Sequence, residues 1–435
     1  MRPNNRTTTL LTGASLLAIT ALPATADAQS VQAQLEELRR QVAQSQAALQ
    51  TALERIDELE NKAVETDEAI AAIPEPRVRP GRDNVDLQVY GHINQAFRFA
   101  SNSNESRFDI VDNDNSGSRL GFRGRYRDGK LSAGVRAEVG FEVNTTDEIG
   151  FDTEAVIGSD AGDEDFLTLR HADTFLGHAD YGTISIGFGP TATEGVSETD
   201  LSGTTLIAES DVDDIGGELE FGNDEVAILG DGFEVDDFFS NLDGSRTSRI
   251  GYASPRFNGI QGLVSARLDD DDAGTARIFP DVSVNYEGAF DFAEVEAQAG
   301  YRRETESNVF IASTSGITGG GTSLTLGGGL EFFDGDNGDP TENFVYAKLG
   351  QKLKLFEIGG TAMSIDFFRG EDNSQMSTLS DDQTEAISIG GGVVQQIKPL
   401  GAEVYAAGRY YTIDAGNGTD TDPLFVLFTG TRVRF

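Results

Sequence analysis

From Val85 to the C-terminus, apolar positions recur every second residue. Leu87, Val89, Gly91, Ile93, Phe97 and Phe99 alternate with Gln88, Tyr90, His92, Asn94 and Arg98. Leu120, Phe122, Gly124 and Tyr126 oppose Arg119, Arg123, Arg125 and Arg127. Leu131, Ala133, Val135, Ala137, Val139 and Phe141 oppose Ser132, Arg136, Glu138 and Glu142. A period of two puts successive side chains on opposite faces of a strand. Further runs of this kind are Phe166–His178, Gly182–Gly189, Arg246–Ala253, Ile260–Leu268, Pro280–Gly288 and Phe292–Arg303. They continue through Thr322–Phe333, Phe344–Lys352, Phe356–Phe368, Thr384–Lys398, Gly401–Asp414 and Leu424–Phe435. Alternation alone fits a soluble sandwich as well as a membrane barrel. The connections favour the barrel, because short ones (Asp128–Lys130, Pro399–Leu400) alternate with long ones (Asn144–Asp165, Gly370–Asp382). With both ends on one side the strand count is even. Asn308–Ser313 is the place for the missing strand, which gives about 16. The predicted fold is all-β, a transmembrane antiparallel β-barrel over residues 85–435.

Before Val85 the period changes to seven. Ala28, Leu35, Val42, Leu49, Ile56, Ala63 and Ile70 take the a positions. Val31, Leu38, Ser45, Ala52, Leu59, Thr66 and Ile73 take the d positions. This predicts an α-helical coiled coil over residues 29–73, with a single amphipathic helix as the alternative. Pro74, Pro76, Pro80 and Gly81 stop it and make residues 74–84 a stiff linker. Arg77, Arg79 and Arg82 in that linker suit contact with anionic lipid or a periplasmic polymer, or simple solvation. Residues 1–28 read as a secretory signal peptide. Arg2 and Arg6 precede the short apolar run Leu10–Ala21, and cleavage is expected after Ala28 or Ala26.

The longest interruption of the strand pattern is Pro190–Ser245. It carries sixteen Asp or Glu and no Lys or Arg. A loop this long is usually functional or disordered. The expectation is that 190–245 folds into the barrel as an acidic constriction, with a solvated surface loop as the bland alternative. Asp211, Asp213, Asp214, Asp236 and Asp237 are the candidate eyelet carboxylates. Strand parity puts Arg119, Arg123, Arg125, Arg136, Arg249, Arg267, Arg409 and Arg432 on the facing wall. Pairing with Glu138, Glu142, Glu294, Glu296 or Glu403 is the structural alternative for each.

A net charge of −40 excludes a basic nucleic-acid surface, so no nucleic acid partner is expected. With no cysteine, an exported chain has neither disulfides nor thiolate chemistry. The acid-rich stretches Asp269–Asp272, Asp334–Asp339 and Asp420–Asp422 lack the fixed spacing of a calcium loop, so no metal and no cofactor is expected. Contact with lipopolysaccharide-bridging divalent ions, or solvation, accounts for them. Enzymatic chemistry would have to use His92, His171 or His178, and no Gly-x-Ser-x-Gly elbow accompanies them. No enzyme is expected.

Ser118–Gly124 (SRLGFRG), Leu169–Gly187 (LRHADTFLGHADYGTISIG), Ser248–Gly259 (SRIGYASPRFNG) and the terminal Phe435 together resemble trimeric Gram-negative outer-membrane porins. The resemblance is nearest to the DcaP-like branch with its N-terminal coiled coil. It implies a 16-stranded homotrimer in outer-membrane lipid and lipopolysaccharide, a third loop folded inward, and Phe435 as the signal read by the barrel-assembly machinery. The loop departs from that pattern in its acidity and length. The function expected is a passive diffusion channel for small hydrophilic solutes and ions, preferring cations because loop carboxylates set the field. The alternatives are a porin for small anionic organic solutes and an envelope-tethering structural protein. The coiled coil would lie in the periplasm.

Overall fold

The computed structural model describes residues 85–141, 144–151, 167–222, 233–270, 276–334, 342–372, 384–414 and 421–435. The signal peptide, heptad segment and linker expected over 1–84 lie outside the described residues, as do 223–232 of the acidic loop. The strands are β1 (Val85–Ser101), β2 (Ser106–Asp112), β3 (Arg119–Asp128), β4 (Leu131–Gly140), β5 (Thr168–His178) and β6 (Gly182–Pro190). They continue as β7 (Arg246–Ala253), β8 (Ile260–Asp270), β9 (Ala276–Ala289), β10 (Ala293–Arg303), β11 (Ser307–Thr318) and β12 (Thr322–Phe333). The last five are β13 (Glu342–Phe356), β14 (Gly359–Asp372), β15 (Thr384–Ile397), β16 (Ala402–Asp414) and β17 (Leu424–Arg434).

Every sequential neighbour from β3 onward pairs antiparallel, and β17 returns to β1 in the register His92↔Arg434 to Ser101↔Phe425. The sheet is therefore closed and has no free edge. The other edge of β1 pairs with β3 over Val85–His92 and with β2 over Gln95–Ser101. β2 and β3 are thus one interrupted strand, and the barrel has 16 staves. β11 supplies the strand expected around Asn308–Ser313.

Ser106–Asp112 is not among the strand-like runs expected from the alternation, yet it forms β2, the upper part of the stave that β3 completes. Asn113, Asp114, Asn115, Ser116 and Gly117 are turn formers, and Asp114–Ser116 makes a 3-10 turn. Asn94 on β1 holds that turn by donating to the Asn113 and Ser116 carbonyls at 3.3 and 3.0 Å.

The two faces of the wall have opposite characters. Ile93, Phe97, Leu120, Phe122, Ile184 and Ile186 belong to an outward apolar belt that the chain itself leaves uncovered. In a soluble protein such a belt would drive aggregation, whereas in a bilayer it is the lipid-facing band. The inward face carries Arg98, Lys348, Arg409 and Tyr411, all buried.

What buries them is the segment between β6 and β7. Its Val196, Leu206, Ile207, Val212, Ile215, Leu219, Phe221, Val235, Phe238, Phe239 and Leu242 join one apolar cluster with inward wall residues such as Phe344, Phe368 and Tyr411. Phe239 packs 5.6 Å from the Phe368 ring and 5.2 Å, edge-on, from Tyr411. At about 1.5–3 kcal/mol per large apolar side chain buried, this cluster outweighs any single polar contact of the loop.

Candidate functional site

The β6–β7 loop is pinned to the inner wall around much of its circumference. Ala192 N–H donates to Ser265 Oγ on β8 at 2.7 Å, Thr199 N–H to Ser313 Oγ on β11 at 3.2 Å, and Leu201 N–H to Ser315 Oγ at 2.9 Å. Tyr411 on β16 donates to the Val212 carbonyl at 2.6 Å, and Asn113 reaches the Leu206 carbonyl at 2.7 Å. Small hydroxyl residues facing inward on β8 and β11 let the loop backbone approach closely. The base of the loop is tied by Asp243, whose carboxylate accepts from the N–H groups of Gly195 (2.5 Å), Val196 (3.0 Å) and Ser197 (3.3 Å). Arg302 on β10 donates to the Leu242 and Asp243 carbonyls.

Three groups stand out among the described loop acids, beside Glu194, which pairs with Arg246 of β7. Asp200 is 3.3 Å from Lys348 of β13 and is neutralised there. Burial opposes its charge, but the Lys348 ammonium and the Ser202 hydroxyl and amide hold it below the ordinary carboxylate range. Glu209, Asp211, Asp213 and Asp214 lie partly buried about a 3-10 turn, Asp213–Ile215. Burial, and then the neighbouring carboxylates, push Glu209, Asp211 and Asp214 well up, while burial takes Asp213 to about 6. The third group is a crown further out. Carboxylate oxygens of Glu234, Asp236 and Asp237 lie within 4.8 Å of one another. Burial and its acidic neighbours raise Glu234 to about 7 and push Asp236 and Glu218 upward.

Facing the lumen from β3 to β7 is a basic wall. A cavity of about 470 Å³ is lined by Arg123, Arg125, Arg127, Arg136 and Arg249, with Asp173 as its carboxylate. Asp173 takes Arg249 at 2.8 Å and Arg136 at 3.5 Å. Arg123 lies over the Tyr90 ring and Arg125 over Phe175, at 5.5 and 5.6 Å from the ring centroids. Held by ring faces, their N–H groups remain open to the cavity.

The other wall arginines expected from parity also face inward, and each meets an acid. Arg119 lies 3.9 Å from Glu138, and Arg267 is 3.5 Å from Asp281 and 2.7 Å from Glu304. Arg409 is sealed against Asp366 at 2.7 Å, and Arg432 against Glu403 at 2.7 Å. Of the loop candidates, Asp211, Asp213 and Asp214 cluster on the turn, while Asp236 and Asp237 belong to the crown. Sequence parity missed Lys348 and Arg302, which anchor the loop, because nothing in a strand pattern says what a distant loop will touch. Arg127 was legible as the next step of the β3 alternation.

The sequence profile of Gram-negative porins matches residues 14–416. The chain belongs to the Gram-negative porins. No curated protein is similar to it in sequence. Among solved structures the barrel resembles the trimer form of OmpT, an outer-membrane protein of Vibrio cholerae. That match has a TM-score of 0.52 and 13% identity, covering 81% of this chain and 100% of that one. It also resembles Salmonella typhi OmpF, solved in complex with daunomycin, at TM-score 0.52 and 11% identity over 82% of this chain and 100% of the other. The outer-membrane channel DcaP of Acinetobacter baumannii gives a TM-score of 0.48 at 11% identity, covering 82% and 99%, which carries no weight for a DcaP-like branch. At such identities the likeness is one of fold.

As a porin the chain is an outer-membrane channel rather than an enzyme. The three histidines each have close neighbours on the barrel wall. His92 Nε2 lies 3.3 Å from Ser116 Oγ, but also 3.0 Å from the Gly117 carbonyl and 3.2 Å from that of Ser116. Nε2 facing two carbonyls carries the proton, so it cannot take one from Ser116. His171 lies 4.0 Å from Glu138, and His178 stacks on Tyr181 at the β5–β6 turn.

Proposed function

We propose that the protein is a passive diffusion channel for small hydrophilic solutes and ions, with the acidic β6–β7 loop as its constriction. The observation that carries this reading is the loop's anchorage. It is bonded to inward-facing residues on β8, β11, β13 and β16, and a cavity stays open along the arginine wall of β3–β7. A mere surface loop has no reason to bury eleven large apolar residues inside a barrel. Asp211, Asp213, Asp214, Asp236 and Asp237 supply an acidic zone and Arg119, Arg123, Arg125, Arg136 and Arg249 a basic zone, and cations are favoured at the loop-side mouth.

The wider assignment is a homotrimer, supported by the trimer form of the Vibrio cholerae barrel. An N-terminal signal peptide directs export, and a periplasmic coiled coil serves as spacer or clamp. Phe435, proposed as the residue read by the barrel-assembly machinery, exchanges both backbone hydrogen bonds with Gly91, at 3.0 and 3.1 Å, at the closing seam.

A second reading, a porin for small anionic organic solutes, is favoured by the arginine-lined cavity. Reversal potential across a salt gradient separates the two. Cation preference supports the acidic loop as the selectivity element, and anion preference transfers that role to the arginine wall.

A further inference from the structure

The two charged zones do not face each other across one ring; they lie in series along the axis. Arg127 pairs with Ser132 beside the short β3–β4 turn, Ser132 with Gly177, and Gly177 with Thr183 at the start of β6. From Thr183 to Pro190, β6 then climbs roughly 20 Å, at about 3.3 Å per residue and the usual barrel tilt, before the acidic loop begins. The crown lies on the far side of that loop. Asp236 N–H donates to the Gly217 carbonyl, and Glu218 N–H to the Asp147 carbonyl in the β4–β5 connection, which also lies at the long-loop end. The separation exceeds the Debye length of about 8 Å at physiological ionic strength, so each zone sets its own local potential.

Neither zone is internally neutralised. Among the described residues no carboxylate forms an ion pair with Arg123, Arg125 or Arg127; Arg123 rests on the Tyr90 ring face and Arg125 on that of Phe175, while Arg127 is exposed. Likewise no described Lys or Arg forms an ion pair with Glu218, Glu234, Asp236 or Asp237.

We propose that the pore is bipolar, with an acidic crown and an arginine vestibule acting in series as specificity determinants, and that it therefore rectifies. Cations collect under the crown and anions in the vestibule. With the loop face positive, both populations are driven toward the middle of the pore, which fills with carriers and conducts well. With the loop face negative, both are drawn outward, the middle is depleted, and current falls. The inference rests on the channel reading above and goes beyond it. A single-signed constriction selects an ion without favouring a direction, whereas two opposed zones favour a direction whichever ion predominates at zero voltage.

The test is the current–voltage curve of single full-length channels in a planar bilayer. The ratio of currents at equal and opposite voltage is expected to be roughly two or more near 0.1 M KCl, where the Debye length is about 10 Å. It should fall toward one near 1 M, where that length is about 3 Å. The triple variant Arg123→Gln, Arg125→Gln, Arg127→Gln should lose the low-salt asymmetry while still conducting at high salt. Orientation is assigned with Gly319→Cys on the β11–β12 turn, where a Cβ meets nothing within 4 Å. A large thiol-reactive polymer lowers the current only from that side, and the high-current polarity must be the one with the opposite chamber positive. A linear curve at low salt, asymmetry that survives the triple variant, or the reverse polarity would overturn the inference and leave the channel standing. No current at any salt would instead sink the channel reading beneath it.

Discussion

Lys348 Nζ lies 3.3 Å from the Asp200 carboxylate and donates to the Ala208 carbonyl at 2.6 Å, so one wall lysine holds two points of the loop. Both side chains are buried, which makes the pair costly to break from one side. Lys348→Met strands the Asp200 carboxylate and should weaken loop docking by about 3 kcal/mol. The Asp200→Asn, Lys348→Met double variant should recover most of that. Protease cleavage within 190–245 reads the effect. Equal cleavage in the single and double variants would show that the pair does not hold the loop.

Phe239 tests the apolar half of the anchorage. Its ring bridges Phe368 and Tyr411, and only 1% of the residue is exposed. Phe239→Ala should cost about 3–5 kcal/mol of loop packing without breaking any strand pairing. The barrel should retain its β-sheet circular dichroism while single-channel current becomes noisy. Quiet, wild-type current would mean that the cluster does not immobilise the loop.

The pH dependence has a definite sign. Burial, with Asp236 and Asp237, lifts Glu234 from 4.5 to about 7, and burial lifts Asp213 from 3.8 to about 6. A raised folded pKa means that protonation favours the packed loop. The stabilisation is full below the unfolded values and is lost as pH rises through about 6 to 7. The same protonation removes negative charge from the pore. Cation permeability relative to anions should therefore fall on acidification with a midpoint between about 6 and 7, well above ordinary carboxylates near 4. Glu234→Gln should remove the upper part of that titration. A midpoint near 4 would place the relevant acids outside the packed loop.

Much of the barrel was legible because a strand buried on neither face by protein still has two different solvents, lipid outside and the lumen inside. β3 and β4 show this in nearly every residue. β11 was found by parity, since Asn308–Ser313 alternates too weakly to stand alone. The split of one stave into β2 and β3 was not legible as such, because Asn113–Gly117 reads as an ordinary loop and only the pairing of β1 with both pieces joins them. The candidate site was legible as charge but not as arrangement. The alternation put Arg123 and Arg125 on the inner face. It could not show that Arg409 is sealed by Asp366 while Arg123 rests on Tyr90. The loop's apolar residues carry no period, because they pack against many strands in turn rather than along one face. The loop's acids are plain in the sequence, yet Leu206, Phe239 and their neighbours fix where those acids lie.

The most direct measurement is single-channel recording of the purified full-length protein in a planar bilayer at high salt. Stable, discrete conductance steps, grouped in threes for a trimer, are expected without any added ligand or energy source. Correctly folded barrel that yields no conductance would contradict the channel reading.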